Sequence, residues 1–555
     1  MQRDGGAPPG PPHDRSAARA GRLGAMFRRW FYLGSVVALL LIGGLAIRWR
    51  GALHALWIVG PLIALGLQDT LQRRQAVRRN WPLIGRFRYL FEMIRPEIQQ
   101  YFVESNTDGT PINREQRSIV YQRSKRVLDT LPFGTQRDVY APGYEWIEHS
   151  IDALPPPAEE PRVRFGGRRK RPYDGAMLHV SAMSYGSLSR NAILALNEGA
   201  RRGGFAHNTG EGGLSPYHLE PGGDLIWQIG TGYFGCRNAR GGFDLGAFRE
   251  RASHPHVKMI EVKLSQGAKP GHGGILPAVK VTQEIATIRG VPMGQDVLSP
   301  PAHTAFHTPL QLMQWLDDLR EAADGKPVGI KLCVGDPVEL LALGKAIVRH
   351  GDGPDYIAVD GGEGGTGAAP LEFSNRVGTP LREGLIAVRN LLVGLGLDDR
   401  IRVVASGKSI TGFHLFRLRA LGADVAASAR GMMFALGCIQ ARRCNSNECP
   451  VGVATQNAAL VHGLDVPDKA ARVTSYQHET VHAFLELLGA AGLQRPEEIR
   501  PHHVRRRVDG VVTKHYGELY DWLGSGQLLE APETTPWARE WNEADPERFR
   551  RIGPR

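Results

Sequence analysis

Three of the five cysteines in this 555-residue chain fall close together, at Cys438, Cys444 and Cys449. Thiolates are soft ligands that bind iron–sulfur clusters or zinc rather than hard cations. Zinc prefers four ligands, commonly with C-x2-C pairs, and no histidine lies between these cysteines to complete such a set. Three sulfur ligands therefore favour a three-iron cluster, and the alternative is three structural cysteines buried in a core.

Two glycine-containing turns late in the chain are candidates for binding a phosphate. Ser406, Gly407 and Lys408 follow one β-rich run, and Arg430 and Gly431 follow the next. In α/β barrels the loops after the last two strands commonly hold a phosphate through backbone N–H groups at a helix N-terminus. The phosphate of flavin mononucleotide (FMN) would fit there, and the alternative is a pair of ordinary strand-to-helix turns.

Three lysines near the ends of apolar runs could present positive charge to a ligand. Lys331 ends one run, where a cation near the N1 region of a flavin would stabilise the anionic reduced ring. The alternative for Lys331 is an ordinary ion pair. Lys263 and Lys269 flank the segment LSQGA and could bind a substrate carboxylate, or they could simply be solvated.

Other patterns carry less weight. Gly230–Gly235 matches G-x-G-x-x-G, but no helical run with an acidic residue at the expected distance follows it, so we predict no nicotinamide site there. His303 and His307 have metal-like spacing, but the prolines around them argue against a regular helix, so we predict loop residues. The basic run at 168–171 is interpreted as a solvated turn.

The elements that must position these residues form a repeating pattern of a short β-rich run, then Gly, Ser or Asn, then a helical stretch. The eight runs are Met177–Ser181, Phe205–Asn208, Leu225–Ile229, Met259–Leu264, Val328–Cys333, Tyr356–Val359, Ile401–Ala405 and Asp424–Ala427. Eight strands alternating with helices predict an α/β fold, the parallel (β/α)8 TIM barrel, with an active site in the loops after the strands. A doubly wound open sheet is the alternative.

Two apolar runs near the N-terminus predict a two-helix transmembrane hairpin. Phe31–Ile47 has 17 residues and Ala52–Leu67 has 16, at the short end of the ~17–25 residues that cross a bilayer. Arginines precede the first run and follow the second, so the positive-inside rule places both ends, and the catalytic domain, on the cytoplasmic side of the inner membrane. The alternatives are a shallow re-entrant insertion, and a signal peptide followed by a core helix.

Charge and cysteine content exclude other classes. Residues 1–100 hold 15 Arg, no Lys and 5 acidic residues, which is +10 of the formal charge of +12, so the rest of the chain is nearly neutral. A nucleic-acid-binding protein carries its basic face on the folded domain, so we expect no nucleic-acid partner. An odd cysteine count gives no disulfide framework and fits a reducing compartment.

Several segments together resemble the FMN-binding domain of glutamate synthase, in particular the stand-alone, membrane-anchored glutamate-synthase-like proteins. The resemblance covers roughly residues 80–510 and is carried by MSYGSLS (183–189), NTGEGG (208–213), KLSQGAKPGHGG (263–274), GGEGGTGAAP (361–370) and CIQARRCNSNECPVGVATQ (438–456). The last segment is very specific.

The resemblance implies a barrel that holds FMN at its mouth and a 3Fe-4S cluster on Cys438, Cys444 and Cys449. It implies that ammonia and 2-oxoglutarate give 2-iminoglutarate, which takes hydride from reduced FMN to form glutamate. Electrons would come from a separate donor protein, an NAD(P)H oxidoreductase or ferredoxin. The resulting catalytic candidates are Glu211, Lys263 and Lys331, and the FMN-site candidates are Ser184, Gly186, Gln266, Lys331, Gly365, Ser406, Gly407, Lys408, Arg430 and Gly431.

Two departures from the family pattern leave other functions open. Residues 1–100 contain no cysteine, the nucleophile that a glutaminase domain needs, so we expect free ammonia as the nitrogen source. Asp360–Glu363 replaces a Ser-Gly-His-type stretch and Ala369 replaces a Ser, and an added carboxylate near the pocket would disfavour a dicarboxylate substrate. The alternatives are an oxidoreductase acting on another 2-oxo, imino or hydroxy acid, and a non-catalytic flavoprotein that relays electrons.

The predicted organisation has five parts. They are a disordered basic tail at 1–27, the transmembrane hairpin at 28–70, a linker and N-terminal extension of the barrel at 71–170, the barrel at 171–510 with its iron–sulfur segment at 438–456, and a C-terminal tail at 511–555.

Overall fold

The eight predicted runs form a closed parallel barrel in the computed structural model, which describes residues 14–551. In chain order the barrel strands are β1 (Leu178–Val180), β2 (His207–Asn208), β3 (Leu225–Ile229), β4 (Val257–Lys263), β5 (Val328–Leu332), β6 (Tyr356–Asp360), β7 (Arg402–Ser406) and β8 (Val425–Ser428). Each strand pairs with the next and β8 pairs with β1. The predicted TIM barrel is confirmed, and the open sheet is excluded.

The barrel strands are covered on both faces. Every residue of β3 and of β5 is buried, including the polar side chains Gln228 and Lys331. Parallel strands that are buried on both faces read as nearly continuous apolar runs, which is why the sequence pattern locates them. Within β3, Trp227 is fully buried and its ring stacks on that of Phe248, from a helix that covers the barrel, at 5.2 Å between ring centroids.

Helices follow the strands and form the outer layer. Those of eight or more residues in the barrel unit are Arg114–Lys125, Arg190–Gly203, Leu245–Ala252, Pro309–Ala322, Pro337–His350, Leu381–Gly394, Gly412–Ala420 and Val466–Ala490. Shorter helices are Pro216–Leu219, Gln283–Arg289, Leu371–Arg376, Arg430–Ala435, Ala458–Val461, Tyr516–Leu519, Gln527–Glu530 and Ala538–Glu543. Ser189 and Asp336 cap two of them by accepting hydrogen bonds from Ala192 N and Val338 N.

A long excursion between β4 and β5 adds structure over the barrel mouth. It contains an antiparallel pair, Ile275–Leu276 with Val297–Leu298, and a 3-10 turn at Ala278–Lys280. Outside the barrel, Glu145–Ile147 and Thr513–His515 flank Val504–Arg507 in one small sheet, and Val163–Phe165 pairs with Tyr173–Gly175 in another. The remaining 3-10 turns are Pro496–Glu498, Pro501–His503 and Pro532–Thr534.

The segment described above as a C-terminal tail packs against a barrel helix. Lys345 Nζ donates hydrogen bonds to the carbonyl oxygens of Trp541 at 2.5 Å and Ala544 at 3.0 Å. Leu528 is fully buried. Residues 511–551 therefore belong to the folded barrel unit.

The basic run at 168–171 is not uniformly solvated, which corrects the sequence interpretation. The side chain of Arg169 is only 13% exposed, and it pairs with Asp352 at 2.6 Å and Asp355 at 2.5 Å. Asp355 Oδ2 in turn accepts a hydrogen bond from Val328 N, at the first residue of β5. The ion pairs of Arg169 therefore hold the N-terminal end of β5 in place. Lys170, in contrast, is exposed.

The chain divides into two units at Ser105, and the first unit contains the predicted hairpin. Its helices are Asp14–Arg48, Leu56–Leu71, Ala76–Asn80 and Gly85–Ile98, with a 3-10 turn at Arg50–Ala55 and a π-helical turn at Gln99–Val103. Two stretches, Gly24–Arg48 and Arg50–Leu71, are long and apolar enough to cross a membrane. Residues 1–13 of the predicted tail lie outside the described residues, and the first helix begins at Asp14, before the predicted boundary.

Candidate functional site

A cavity of about 1180 Å³ opens at the mouth of the barrel, where the strands end. The last residues of four strands, Lys263, Asp360, Ser406 and Ser428, line it, and so does Lys331, the last but one of β5. The predicted site residues that it brings together are Ser184, Glu211, Lys263, Gln266, Lys331, Gly365, Ser406, Gly407, Lys408, Arg430, Cys438, Cys444 and Cys449. A pocket this large can hold a cofactor together with a small substrate.

Gly186 and Gly431 do not line the cavity, and each has a packing role instead. Gly186 has a φ of +100°, a left-handed conformation that glycine adopts without strain. A Cβ on Gly431 would lie 2.2 Å from the hydroxyl oxygen of Tyr476, so only glycine fits there.

A carboxylate–lysine cluster occupies one side of the cavity. Glu211 follows β2, and its Oε1 lies 2.9 Å from Nζ of Lys263 at the end of β4. Lys263 Nζ also donates a hydrogen bond to Gln266 Oε1 at 2.8 Å. The Lys263 side chain is only 8% exposed, so its charge is held in a mostly buried ion pair.

The cluster shifts the pKa values of its members. Burial would raise the pKa of Glu211, but the ammonium of Lys263, together with Lys269 and Arg289, outweighs burial and lowers it. Burial lowers the pKa of Lys269 to about 8, although the carboxylate of Glu211 acts in the opposite direction. A group with a pKa close to neutrality can hold or release a proton under cellular conditions.

His303, which sequence spacing offered as a metal ligand, supports this cluster from below. The ring nitrogen Nε2 lies 2.9 Å from the carbonyl oxygen of Lys263, and Nδ1 lies 3.1 Å from the hydroxyl of Tyr233. Burial lowers the pKa of His303 to about 4, so the ring is neutral at physiological pH. His303 and the exposed His307 are both in a non-helical segment, as predicted.

Lys331 forms an ion pair at the cavity, as one of its two sequence alternatives predicted. Its Nζ lies 3.6 Å from Asp360 Oδ2, and the side chain is 8% exposed at the cavity floor. The same Asp360 oxygen accepts a hydrogen bond from Gly267 N at 2.8 Å. Asp360 therefore ties β6, β5 and the loop after β4 together, and it leaves the ammonium of Lys331 at the cavity.

A polar layer lies beneath Lys331 inside the barrel. Gln228 Nε2 and Asn208 Nδ2 both donate hydrogen bonds to Glu261 Oε1, at 2.7 and 2.8 Å. Glu261 is 3% exposed, so its charge is stabilised by these two amides. Gln228 also lines the cavity, which makes it a floor residue that the sequence analysis missed.

Glu363 is the carboxylate that the sequence analysis noted as a departure from the family pattern, and it has a hydrogen-bond partner in the structure. Its Oε2 accepts a hydrogen bond from Leu381 N at 2.9 Å, at the start of helix Leu381–Gly394. The preceding residue, Pro380, offers no side chain that could cap this helix. One oxygen of Glu363 is thus occupied as a helix cap, although the residue still lines the cavity rim.

The glycine-rich loop after β6 closes on Arg430, which follows β8. Arg430 Nη2 donates a hydrogen bond to the carbonyl oxygen of Thr366 at 3.1 Å. A Cβ on Gly365 would lie 2.8 Å from the same nitrogen, so the loop approaches the guanidinium closely only because residue 365 is glycine. After β7, Gly407 and Lys408 have φ values of +155° and +51°, which turn the backbone at the cavity wall.

The three cysteines lie on a loop that borders the same cavity. Cys438 and Cys444 are half-buried, Cys449 is buried, and none of the three is in a disulfide. Burial raises the pKa of Cys438 to about 11, although the hydrogen bond from Gln440 N and the charge of Arg430 both lower it. In the described part of the chain no three His, Cys, Asp or Glu side chains converge as a single metal ion would require.

Contacts from distant segments fix the cysteine loop. Tyr121 donates a hydrogen bond from its hydroxyl to the carbonyl oxygen of Cys438 at 2.6 Å, and Gln440 exchanges two hydrogen bonds with the backbone of Ile112. The non-glycine residues Gln440, Arg442 and Asn447 all have positive φ values, between 55° and 63°. Such conformations persist where surrounding contacts impose them, often at functional sites.

Two buried cations that sequence reasoning missed bind the loop after β1, and one of them, Lys280, also binds the cysteine loop. Lys280 Nζ donates hydrogen bonds to the carbonyl oxygens of Ser187 at 3.0 Å and Ala454 at 2.8 Å. Burial lowers the pKa of Lys280 to about 8, and the sulfurs of Cys444 and Cys449 act in the opposite direction. Arg289 donates to the carbonyl oxygen of Tyr185 at 3.0 Å. Both residues come from the β4–β5 excursion, where no local pattern marks them.

The fold and this cavity define a (β/α)8-barrel protein in which basic side chains, a buried carboxylate and three thiols share one site. The sequence model of a family described as a conserved region in glutamate synthase matches residues 171–494. The chain belongs to the glutamate synthase family, as the motifs predicted, and with that family it is an oxidoreductase.

Curated relatives agree with this assignment. The chain is 36% identical over 489 residues to the glutamate synthase large subunit-like protein YerD of Bacillus subtilis, covering 80% of this chain and 93% of that protein. It is 35% identical over 373 residues to the archaeal glutamate synthase [NADPH] of Methanocaldococcus jannaschii, covering 67% of this chain and 69% of that protein. It is also 35% identical over 338 residues to the archaeal-type glutamate synthase [NADPH] of Thermotoga neapolitana, covering 60% and 63%.

Proposed function

We propose that this chain is a membrane-anchored oxidoreductase that binds FMN and a 3Fe-4S cluster and forms glutamate from 2-oxoglutarate and free ammonia. The observation that carries the proposal is the single cavity at the barrel mouth. It is lined by Cys438, Cys444 and Cys449 and also by the lysine, carboxylate and glycine-loop residues of the candidate flavin site. Electrons could therefore pass between the two centres within one cavity.

The cavity walls fit FMN. Gln266 Nε2 is buried without a hydrogen-bond partner in the described part of the chain, and Gln266 lines the cavity, so this nitrogen can donate to a polar atom of a bound ring. The backbone at Gly365 lies close to the guanidinium of Arg430, and Gly407 is the first residue of the turn after β7. The loops after β7 and β8 would hold the phosphate, and Lys331 would lie near the ring. When bound, FMN supplies the hydride for reduction.

The cysteine loop fits an iron–sulfur cluster better than a single metal ion. In a three-iron cluster each thiolate binds a different iron, so the three sulfurs surround a cluster rather than one point. The absence of a single-ion arrangement among the described residues agrees with that requirement. The nearby ammonium of Lys280 would offset part of the negative charge of three thiolates.

The lysine–carboxylate cluster supports a substrate that carries carboxylates. Lys263 and Lys269 would bind a carboxylate of the 2-oxo acid, and Glu211 would orient Lys263 through their 2.9 Å ion pair. Ammonia and the 2-oxo acid condense to an imino acid with loss of water, and reduction of the imino acid requires a hydride and a proton. Lys269 Nζ, with a pKa of about 8, holds a proton at neutral pH that it can deliver to the substrate.

Anaerobic flavin reoxidation tests the reaction. The purified full chain is reduced and mixed with 2-oxoglutarate and ammonia, and the flavin absorbance is followed while glutamate is quantified. Reoxidation with stoichiometric glutamate is expected. If the flavin is reoxidised only by another 2-oxo acid, that acid is the substrate. If no acid reoxidises the flavin, the result favours a protein that relays electrons. A preparation without flavin or iron would overturn the proposal itself.

A cysteine pair provides the matched test of the cluster. Cys444→Ser should lose bound iron while the far-ultraviolet circular dichroism of the barrel is kept. Cys236→Ser is the control, because Cys236 is fully buried elsewhere and does not line the cavity. Equal iron content in the two variants would contradict the ligand assignment.

A further inference from the structure

Helix Gly85–Ile98 of the first unit has a continuous face of apolar side chains, most of which are exposed. Phe87, Leu90, Phe91, Ile94 and Ile98 recur at intervals of three and four residues, which places them on one side of the helix. Four of them are well exposed: Phe87 55%, Leu90 42%, Phe91 60% and Ile98 42%. We call these five residues the apolar stripe.

Charged residues border the apolar stripe. Arg88 and Glu92 form an ion pair at 3.1 Å with both side chains more than half exposed, and Arg95 lies next to them one turn further on. Beyond the helix, the π-helical turn Gln99–Val103 exposes Phe102 to 84%. A helix with an apolar face, a charged face and terminal aromatic residues is typical of a membrane surface.

A buried carboxylate ties this helix to the end of the second apolar span. Asp69, in helix Leu56–Leu71, is fully buried and accepts hydrogen bonds from Arg78 Nε at 2.7 Å, Arg86 Nε at 2.8 Å and Leu83 N at 3.1 Å. Arg86 belongs to helix Gly85–Ile98 itself. The start of that helix is therefore held at the end of the segment that is long and apolar enough to cross a bilayer.

We propose that helix Gly85–Ile98 lies in the headgroup layer of the membrane leaflet where the second span ends, with the apolar stripe facing the acyl chains. The inference rests on the membrane anchoring in the proposed function and adds a second contact with the lipid. Continuity with the span selects lipid as the occupant, because a helix held at the bilayer boundary must place its exposed apolar face there or leave it in water. Arg95, beside the stripe, can contact a phosphate of the headgroup layer, whereas Arg86 and Arg88 are paired with carboxylates.

Site-specific photo-crosslinking of the full chain tests this placement. A photoreactive amino acid is introduced singly at Phe91, Glu92 or Leu40, and the protein is reconstituted in vesicles of phosphatidylethanolamine and phosphatidylglycerol. Phe91 lies on the apolar stripe and Glu92 on the charged face, so they form a matched pair. Leu40 is 70% exposed in the first candidate span and reports on anchoring alone.

We expect lipid adducts when the photoreactive residue is at position 91 or 40, and no lipid adduct when it is at position 92. Adduct at 40 without adduct at 91 would overturn this inference and leave the anchoring intact. Crosslinks from 91 to protein, either a second copy or the barrel unit, would also overturn it. Absence of adduct at 40 would refute the anchoring, and the inference would fail with it.

Discussion

Glu211 sets the charge of the candidate site. Its carboxylate is paired with Lys263 at 2.9 Å and raises the pKa of Lys269 against the effect of burial. Burial and the charge of Lys263 both lower the pKa of Lys269, whereas the carboxylate of Glu211 raises it. The carboxylate therefore favours the protonated form of Lys269.

Glu211→Gln should move the alkaline limb of the pH profile to lower pH. In the proposed reaction Lys269 acts in its protonated form, and loss of the neighbouring anion lowers its pKa from about 8. We expect the limb of the kcat/KM profile for the 2-oxo acid to shift down by about one pH unit. The control is Glu220→Gln, at an exposed position outside the cavity lining. An unshifted limb in Glu211→Gln would remove Lys269 from the mechanism.

Gly365→Ala should weaken flavin binding without unfolding the barrel. The new Cβ would lie 2.8 Å from Arg430 Nη2, so either the glycine loop or the guanidinium must move. The contacted atoms are the end of the flexible Arg430 side chain, so the expected response is displacement of the guanidinium from its position beside the loop. We expect roughly a tenfold or greater rise in the Kd of FMN, measured by fluorescence titration of the apoprotein.

Gly367→Ala is the matched control for that substitution. It lies in the same loop and adds the same methyl group, but nothing lies within 4 Å of the new Cβ. Its FMN affinity should stay close to that of the parent chain. Equal loss of affinity in both variants would point to loop stiffness, and equal retention would mean that Arg430 does not position the cofactor.

The elements differ in how far the sequence could predict them. All eight barrel strands were located because buried parallel strands give dense apolar runs, and the residues at their ends then fall at the mouth by topology alone. The β4–β5 excursion gave no such signal, because its strands are two residues long and it depends on contacts with distant loops. Lys280 and Arg289, which reach the site from that excursion, were therefore missed.

Charged residues were the other source of error at this scale. Arg169 looked like part of a solvated basic turn, yet its partners Asp352 and Asp355 lie more than 180 residues away in sequence. Glu363 lines the cavity, as the sequence predicts, but its role as a cap for the helix that begins at Leu381 could not be predicted. A single sequence shows a charge but not the partner that neutralises it.

Arg169→Ala should destabilise the barrel. Asp355, which is 4% exposed, would keep its hydrogen bond from Val328 N, but its charge would face only Arg320, at 3.4 Å, among the described ion pairs. The start of β5 would be held less firmly. Loss of one partner from a buried ion pair costs about 3–5 kcal/mol, and the remaining arginine should reduce this to about 2–3 kcal/mol in chemical denaturation. Lys170→Ala, at a side chain that is 70% exposed, should change the stability by less than about 0.5 kcal/mol. Similar losses in the two variants would contradict the role of the Arg169 network.

At the scale of the whole molecule, charge is divided unequally along the chain. The first 100 residues carry +10 of the total +12, all of it on arginine, while the part that forms the barrel is nearly neutral. Arginine side chains near helix ends can extend their charged groups into the headgroup region, so this distribution matches a membrane boundary. The neutral barrel is in turn consistent with a redox enzyme that acts on small molecules.

The arginine distribution predicts the topology of the full chain. Five arginines at positions 15–29 precede the apolar run Phe31–Ile47, and four at positions 73–79 follow the run Ala52–Leu67. Only Arg48 and Arg50 lie between the two runs. Because positive flanks remain in the cytoplasm, green fluorescent protein fused at the C-terminus should fluoresce and alkaline phosphatase fused there should be inactive. Alkaline phosphatase inserted at the turn should be active. Replacing Arg73, Arg74, Arg78 and Arg79 by Gln should weaken this orientation, whereas Arg48→Gln with Arg50→Gln should preserve it. An active phosphatase at the C-terminus of the parent chain would place the barrel outside the cytoplasm and would contradict this topology.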